Sequence, residues 1–219
     1  MSTSFTRTRE QLAAMVLRKF GALGAGETAN SDDLTVVYEA IDLRLKEMHR
    51  LGVLWWKVSG ATSDLSLTAS TATVAAPADL LFPISLAIRD GDDDLPVTLI
   101  DHRAYQAIQT KTDAGTPTQA FYDSVTRNFY LYETPDSAYT AKLTYQKMAD
   151  DTAASTAPDV PVSHLRWLKD LIAYDIGDDF SIEEDRMVRF EREAEKAERR
   201  IRALTAPRTD PQPVEMTSF

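Results

Sequence analysis

Apolar residues recur every three or four positions at both ends of the chain, and every second position in parts of its middle. From Thr8 to Phe20 they fall at Leu12, Val16 and Phe20, one face of a 3.6-residue period, which predicts a helix. Gly21-Ala-Leu-Gly-Ala-Gly26 stops it, with Gly21 placed as its C-cap. A second helix is expected from Ser31-Asp32-Asp33, which offer a capping side chain and negative charge at the positive end of the helix dipole. Leu34, Val37, Ile41, Leu45 and Met48 carry its apolar stripe, and it stops near Gly52.

After Trp55-Trp56 the pattern changes. Threonine, serine and valine dominate Ser59 to Val74 and suggest short strands. Ile84 to Ile88 and Leu95 to Ile100 read as two more, joined by the turn Asp90-Gly-Asp-Asp-Asp94, and Asp101 to Ile108 as a short helix. Arg127 to Glu133 alternates Phe129 and Leu131 against Tyr130 and Tyr132. Tyr139 to Tyr145 sets Tyr139, Ala141, Leu143 and Tyr145 on one face, with Thr140, Lys142 and Thr144 on the other. Thr134-Pro-Asp-Ser137 between these two strands has good turn chemistry and predicts a hairpin.

Asp150 to Pro161, small, polar and proline-bearing, reads as a connector. Ser163 is placed to cap a helix whose apolar face is Leu165, Leu168, Ile172, Ile176 and Phe180. Ser181-Ile-Glu-Glu184 has the form of a capping box opening the next, with Met187, Phe190, Ala194, Ala197, Ile201 and Leu204 along one face. Glu191, Arg192, Glu195 and Arg199 on its other faces mark a long, solvated helix with i,i+4 pairs. From Pro207 onward three prolines and no helical period predict an extended tail. Neither terminal helix pair has an apolar stripe wide enough to be buried alone. The expected fold class is therefore α+β: an antiparallel helical bundle built from the N- and C-terminal helix pairs (1–58 and 160–205), an inserted antiparallel β-rich domain (59–159), and an extended C-terminal arm (206–219).

Composition narrows the function. A chain of 219 residues, 43% hydrophobic, can bury a real core as one large domain or two small lobes. With no cysteine it forms no disulfide, no thiolate metal site and no cysteine nucleophile. The first ten residues lack the apolar stretch of a secretory signal. The most apolar region, Leu65 to Ile88, is broken by Pro77, Asp79 and Pro83, so no membrane association is expected. The net charge of −10 is uneven: residues 61–159 carry six Lys/Arg against fourteen Asp/Glu, while residues 1–60 carry eight against seven. A chain that grips nucleic acid usually shows a basic stripe, and none is visible. The plain reading of the acidity is solubility.

Candidate chemistry is sparse. His49, His102 and His164 have no second histidine at i+3 or i+4, so no H-E-x-x-H-type metal site exists, and surface or capping roles are expected. Asp90, Asp92, Asp93 and Asp94 invite a calcium reading, but Gly91 comes too early and position twelve counted from Asp90 is Asp101 rather than Glu. Gly21 to Gly26 follows a helix and lacks the Gly-Lys-Ser/Thr ending of a phosphate loop. No G-x-S-x-G elbow points to a serine hydrolase. Catalytic residues, metals and cofactors are accordingly not expected. Two features suggest binding instead. Trp55-Trp56 is either core or domain-junction packing or an anchor for a neighbouring subunit, and the tail ending in Glu215-Met-Thr-Ser-Phe219 is either disordered or an arm that docks on a partner.

The order of these features resembles the head-to-tail adaptor (connector) proteins of tailed phages, of the tail accessory factor and tail tubular protein A type. The residues that carry the resemblance are the N-terminal helix pair, the Trp-containing exit, Pro77-Ala-Asp-Leu-Leu-Phe-Pro83-Ile-Ser-Leu, Gly115-Thr-Pro117, the Phe129-Tyr-Leu-Tyr strand, the Pro135 turn and Leu143-Thr-Tyr145. The resemblance spans about residues 8 to 205 and leaves the proline-bearing tail unmatched. It implies a non-enzymatic virion subunit of the neck, assembled in the host cytoplasm into a ring, usually of twelve copies, beneath the portal protein. The ring would continue the DNA channel toward a tail nozzle or other tail protein, with DNA passing through unbound. It implies that Arg208, Pro211, Pro213, Val214, Met216 and Phe219 form a portal arm and that the acidic insert faces tail proteins or the channel. An acidic channel would repel phosphate and let DNA slide. The competing expectations are another neck or tail-completion protein, or a monomeric peptide- or carbohydrate-binding module.

Overall fold

The structure, a computed structural model, describes residues 5–51, 54, 57–58 and 63–205. In chain order its elements are α1 (Arg9–Phe20), α2 (Ser31–Glu47), β1 (Ser63–Leu67), β2 (Thr73–Ala75), β3 (Leu80–Asp90) and β4 (Asp93–Ile100). These are followed by α3 (His102–Ala107), β5 (Ala114–Gly115), β6 (Gln119–Asp123), β7 (Asn128–Tyr132), β8 (Thr134–Pro135), β9 (Tyr139–Lys147), α4 (Leu165–Asp175) and α5 (Glu184–Thr205). The chain divides into two compact units, Met1–Trp56 with Ala149–Phe219, and Lys57–Met148.

In the first unit, local chemistry sets the helix ends. Thr8 caps α1 through a reciprocal capping box: its hydroxyl accepts from the Gln11 amide at 3.2 Å, and Gln11 Oε1 accepts from the Thr8 amide at 3.3 Å. Gly21, at φ +83°, terminates α1 in the left-handed region where glycine has no Cβ penalty, as expected. The cap of α2 lies one residue earlier than expected: Asn30, not Ser31, accepts from the Asp32 amide, which leaves Asp32 and Asp33 in the first turn to complement the dipole. Ser163 does not cap α4. It lies inside a 3₁₀ turn (Val162–His164), with its hydroxyl 3.0 Å from His164 Nδ1. The capping box expected at Ser181 is also absent, because Ser181 sits at φ +51°, outside the extended region a cap requires. The Glu183 carbonyl takes the first α5 bonds, from the amides of Arg186 and Met187. Leu12, Val16, Leu17, Val37, Ile41, Leu45, Leu168, Leu171, Ile172, Phe190, Ala197 and Ile201 interlock as one core.

The second unit is one seven-stranded sheet in the order β1-β9-β3-β4-β6-β7-β2, and its outer strands β1 and β2 approach each other, so that it nearly closes. Cross-strand register places one face of every strand inside. Leu65 lies opposite Ala141 and Ala141 opposite Ile88, Leu143 opposite Leu86 and Leu86 opposite Val97. On the far side Ala120 faces Leu131, and Phe129 faces Val74. Side chains fill this interior, with Phe129, Leu131, Leu143 and Ile88 almost wholly removed from water. A narrow barrel of this kind is a packed core rather than a cup.

Two expectations are corrected. The fold is not an antiparallel helical bundle carrying an inserted antiparallel domain. It is mixed α/β, dominated by a large, nearly closed seven-stranded sheet, with five α-helices among the described residues. The sheet is not purely antiparallel either: β4 and β6 run parallel, joined across α3, and β5 and β8 form a second parallel pair. Alternation along a strand reports which side is buried and says nothing of its neighbour's direction, so the parallel return was invisible in the pattern. The predicted hairpin between Arg127–Glu133 and Tyr139–Tyr145 does not form. β7 lies between β6 and β2, and β9 between β1 and β3. The intervening Thr134-Pro135 is itself the short strand β8, and Pro135 has no amide to donate.

Candidate interaction surfaces

The anchors expected from sequence, Trp55 and Trp56, and the arm residues Arg208, Pro211, Pro213, Val214, Met216 and Phe219 lie outside the described residues. The histidines serve local structure. His49 Nδ1 lies 2.8 Å from the Lys46 carbonyl, and His102 meets the ring of Phe121 edge-on. His164 is a correction: it is buried, not on the surface, with its ring edge-on to Trp167, and burial lowers its pKa. The acidic run is the tip of the β3–β4 hairpin, where Gly91 takes φ +60° and Arg89 holds Asp94 through two bonds of 2.6 and 3.0 Å. Asp101 is occupied in capping α3, accepting from the Ala104 amide at 2.7 Å. Among the described residues no three His, Cys, Asp or Glu side chains gather to hold a metal, and no helix is long and apolar enough to cross a membrane.

The segments that carry the family resemblance meet in space. Arg127, held at φ +55° after β6, turns its guanidinium onto the carbonyls of Pro77, Ala78 and Leu80 at 3.0, 2.7 and 3.4 Å. Asp79 in the same loop accepts from the Tyr145 hydroxyl at 2.8 Å and pairs with Lys147 at 3.3 Å. Its own carbonyl accepts from the Met148 amide. Burial alone would raise the Asp79 pKa, but the bonds from Tyr145 and Lys147 outweigh it and hold the carboxyl below the usual range. Proline, small residue, Asp and Leu therefore make a loop locked from both sides as it enters β3. Gly115 and Pro135 are partners too, as the paired ends of β5 and β8, and a side chain on Gly115 would press on Glu133.

The helical unit is cross-braced by half-buried ion pairs. Lys19 on α1 reaches Asp170 on α4 at 2.9 Å and Glu193 on α5 at 2.8 Å, and lies over the Phe190 ring. Arg44 on α2 grips Asp175 with both arms of its guanidinium and reaches Glu198 at 3.6 Å. Arg186 donates to the carbonyls of Phe20 and Lys19, satisfying the end of α1. At the opposite end of α1, Arg9 binds Asp42 and the carbonyls of Tyr38 and Thr152, with its guanidinium over the Tyr38 ring. The carbonyls of Thr156 and Ala154 accept from the amides of Arg9 and Glu10. The connector around 152–156 is thus stapled onto the α1 N-terminus. The open depression in this connector is lined by Asp150, Asp151, Thr156 and Asp159, and Asp151 is engaged by Lys46 at 2.7 Å.

Surface chemistry lies on the outer faces. Outside the sheet, Phe121 and Tyr130 are cross-strand partners, stacked at 6.1 Å, and α3 lays Tyr105 and His102 over them. In the helical unit, α2 turns Leu43 to solvent at 66% exposure, and α5 turns out Val188 at 41%.

The sequence matches the family model of the SU10 adaptor protein over residues 8–216, through both units, and the chain belongs to that family. It is a phage head-to-tail adaptor, a structural component of the virion that works with other head and tail proteins. No curated protein matches the sequence.

Proposed function

We propose that copies of this chain close a ring of twelve beneath the portal protein, join the capsid to a tail nozzle or other tail protein, and continue the channel through which DNA passes without specific binding. Assembly takes place in the host cytoplasm. Family membership across residues 8–216 carries this reading. The barrel supports it because, among the described residues, side chains fill its interior and leave no cup there for a peptide or carbohydrate, which weighs against a monomeric binding module. In this reading Arg208, Pro211, Pro213, Val214, Met216 and Phe219 form the arm that docks on the portal, and Trp55 and Trp56 anchor a junction. The β unit, with seven Lys/Arg against eleven Asp/Glu over 57–148, faces tail proteins or the channel.

The test is sedimentation with the portal protein of the same phage. The full chain co-sediments, and the chain shortened by 208–219 loses at least about tenfold in affinity. Equal binding by the shortened chain removes the arm from the proposal.

A further inference from the structure

We infer that residues 150–159 form a hinged flap that closes over the first turn of α1 and opens as one unit, with Arg9 as its latch. The device lies within the helical unit and does not depend on the ring reading.

Both ends of this segment are fixed. Ala149 before it and Val160 after it pack against the helical core. The Asp159 carboxylate accepts from the Asp150 amide at 3.3 Å and draws the two ends together, so that the residues between form an Ω-type loop. Within the loop Thr152 and Pro158 are buried, while Asp151 and residues 153–157 are exposed, small or polar, and outside any helix or strand.

The middle of the loop is held from α1. The first four amides of a helix find no partner inside the helix. Thr8 and Gln11 serve each other's amides, and the loop serves the other two. The Thr156 carbonyl accepts from the Arg9 amide at 2.7 Å, and the Ala154 carbonyl from the Glu10 amide at 3.1 Å. The Arg9 guanidinium adds a bond to the Thr152 carbonyl. That guanidinium is also fixed by α2, through Asp42, the Tyr38 carbonyl at 2.7 Å and the face of the Tyr38 ring. Arg9 therefore stays in place when the loop leaves, set to take it back. A further tie, Lys46 to Asp151, joins two solvent-exposed side chains and is screened.

A segment with few buried apolar contacts, held mainly by backbone bonds near solvent, belongs to the low-stability end of a fold. Opening uncovers the amides of Arg9 and Glu10 together with residues 153–157. It also releases the chain just after Met148–Ala149, one of the two places where it passes between the compact units.

The test is elastase digestion of the full chain, with cuts located by mass, beside hydrogen exchange. Elastase cleaves after small residues, which the flap offers at Ala153, Ala154, Ser155 and Ala157. Where opening and closing are fast relative to cleavage, the rate tracks the open population. Arg9→Met removes the latch and should speed cleavage within 153–157 at least about tenfold. Exchange of the amides at positions 9 and 10 should rise by the same factor, and that of Leu168 to Ile172 should not change. Arg9→Lys keeps the charge without the planar fork, so it should fall between, and it carries the same test if Arg9→Met does not fold. Lys46→Ala should change cleavage less than about twofold. The proposal falls if Arg9→Met leaves cleavage unchanged, or if cleavage rises while the amides at 9 and 10 stay protected. It also falls if exchange at Leu168 to Ile172 rises equally, since Arg9 would then support the whole helical unit rather than a flap.

Discussion

The hydroxyl of Tyr145 donates to the carboxylate of Asp79 at 2.8 Å, joining the end of β9 to a loop 66 residues earlier in the chain. That single bond ties β9 to the entry of β3, the two strands with the longest shared register. Tyr145→Phe keeps the packing and removes the donor. The carboxylate is 42% exposed and remains hydrated, so the expected loss is only about 1 kcal/mol by urea unfolding at neutral pH.

The same carboxylate sets a pH dependence. Its pKa in the folded protein is lowered, so its contribution is present above the unfolded carboxylate value and is lost as pH falls through the folded value. Asp79→Asn should therefore flatten the acid limb of a stability-versus-pH curve below about pH 4. An unchanged acid limb would remove Asp79 from acid unfolding.

Arg127 holds three consecutive-loop carbonyls with one guanidinium nitrogen. Arg127→Ala leaves them without that donor and keeps the positive φ, at an expected cost of about 2 kcal/mol. Because Asp79 locks the same loop, the double change with Asp79→Asn should cost less than the two single changes added together, as a double-mutant cycle would read.

Lys19 neutralises two carboxylates on two other helices, with its side chain 14% exposed and that of Asp170 15%. Lys19→Met should destabilise by about 2 kcal/mol, chiefly because the largely buried Asp170 is left with Lys169 alone, at 3.3 Å, and adding Asp170→Asn should recover part of the loss. Glu193 has its pKa lowered, first of all by the Lys19 hydrogen bond. Lys19→Met should thus also weaken the loss of stability seen as pH falls through the folded Glu193 value.

Phe129 is fully buried at the centre of the barrel. Phe129→Ala should cost about 3–5 kcal/mol in denaturant unfolding. A cost under 1 kcal/mol would mean that the barrel interior is not the packed core described.

What could be read from the sequence was whatever depends on neighbours a few residues apart. The 3.6-residue stripe of α1 and its Gly21 stop, the short helix after Asp101 and the inward sets Phe129–Leu131 and Ala141–Leu143–Tyr145 all follow from local period or turn chemistry. Pairing between strands did not follow. β7 and β9 have the alternation and the intervening turn of a hairpin, yet each is claimed by partners distant in sequence, and a six-residue helix returns β6 parallel to β4. Ser181 shows the same limit at smaller scale: its spelling is that of a capping box, and its backbone conformation closes the preceding turn instead. The aspartate of Pro77-Ala-Asp-Leu could be read as a family mark, but its partners Tyr145, Lys147 and the neighbouring clamp Arg127 lie 48 to 68 positions away.

The most direct measurement is the native mass of the portal protein mixed with this chain. Twelve 24.4 kDa chains bound per portal ring, assembling together rather than by single additions, are expected from the ring reading. A chain that stays at 24.4 kDa with the portal of its own phage contradicts it.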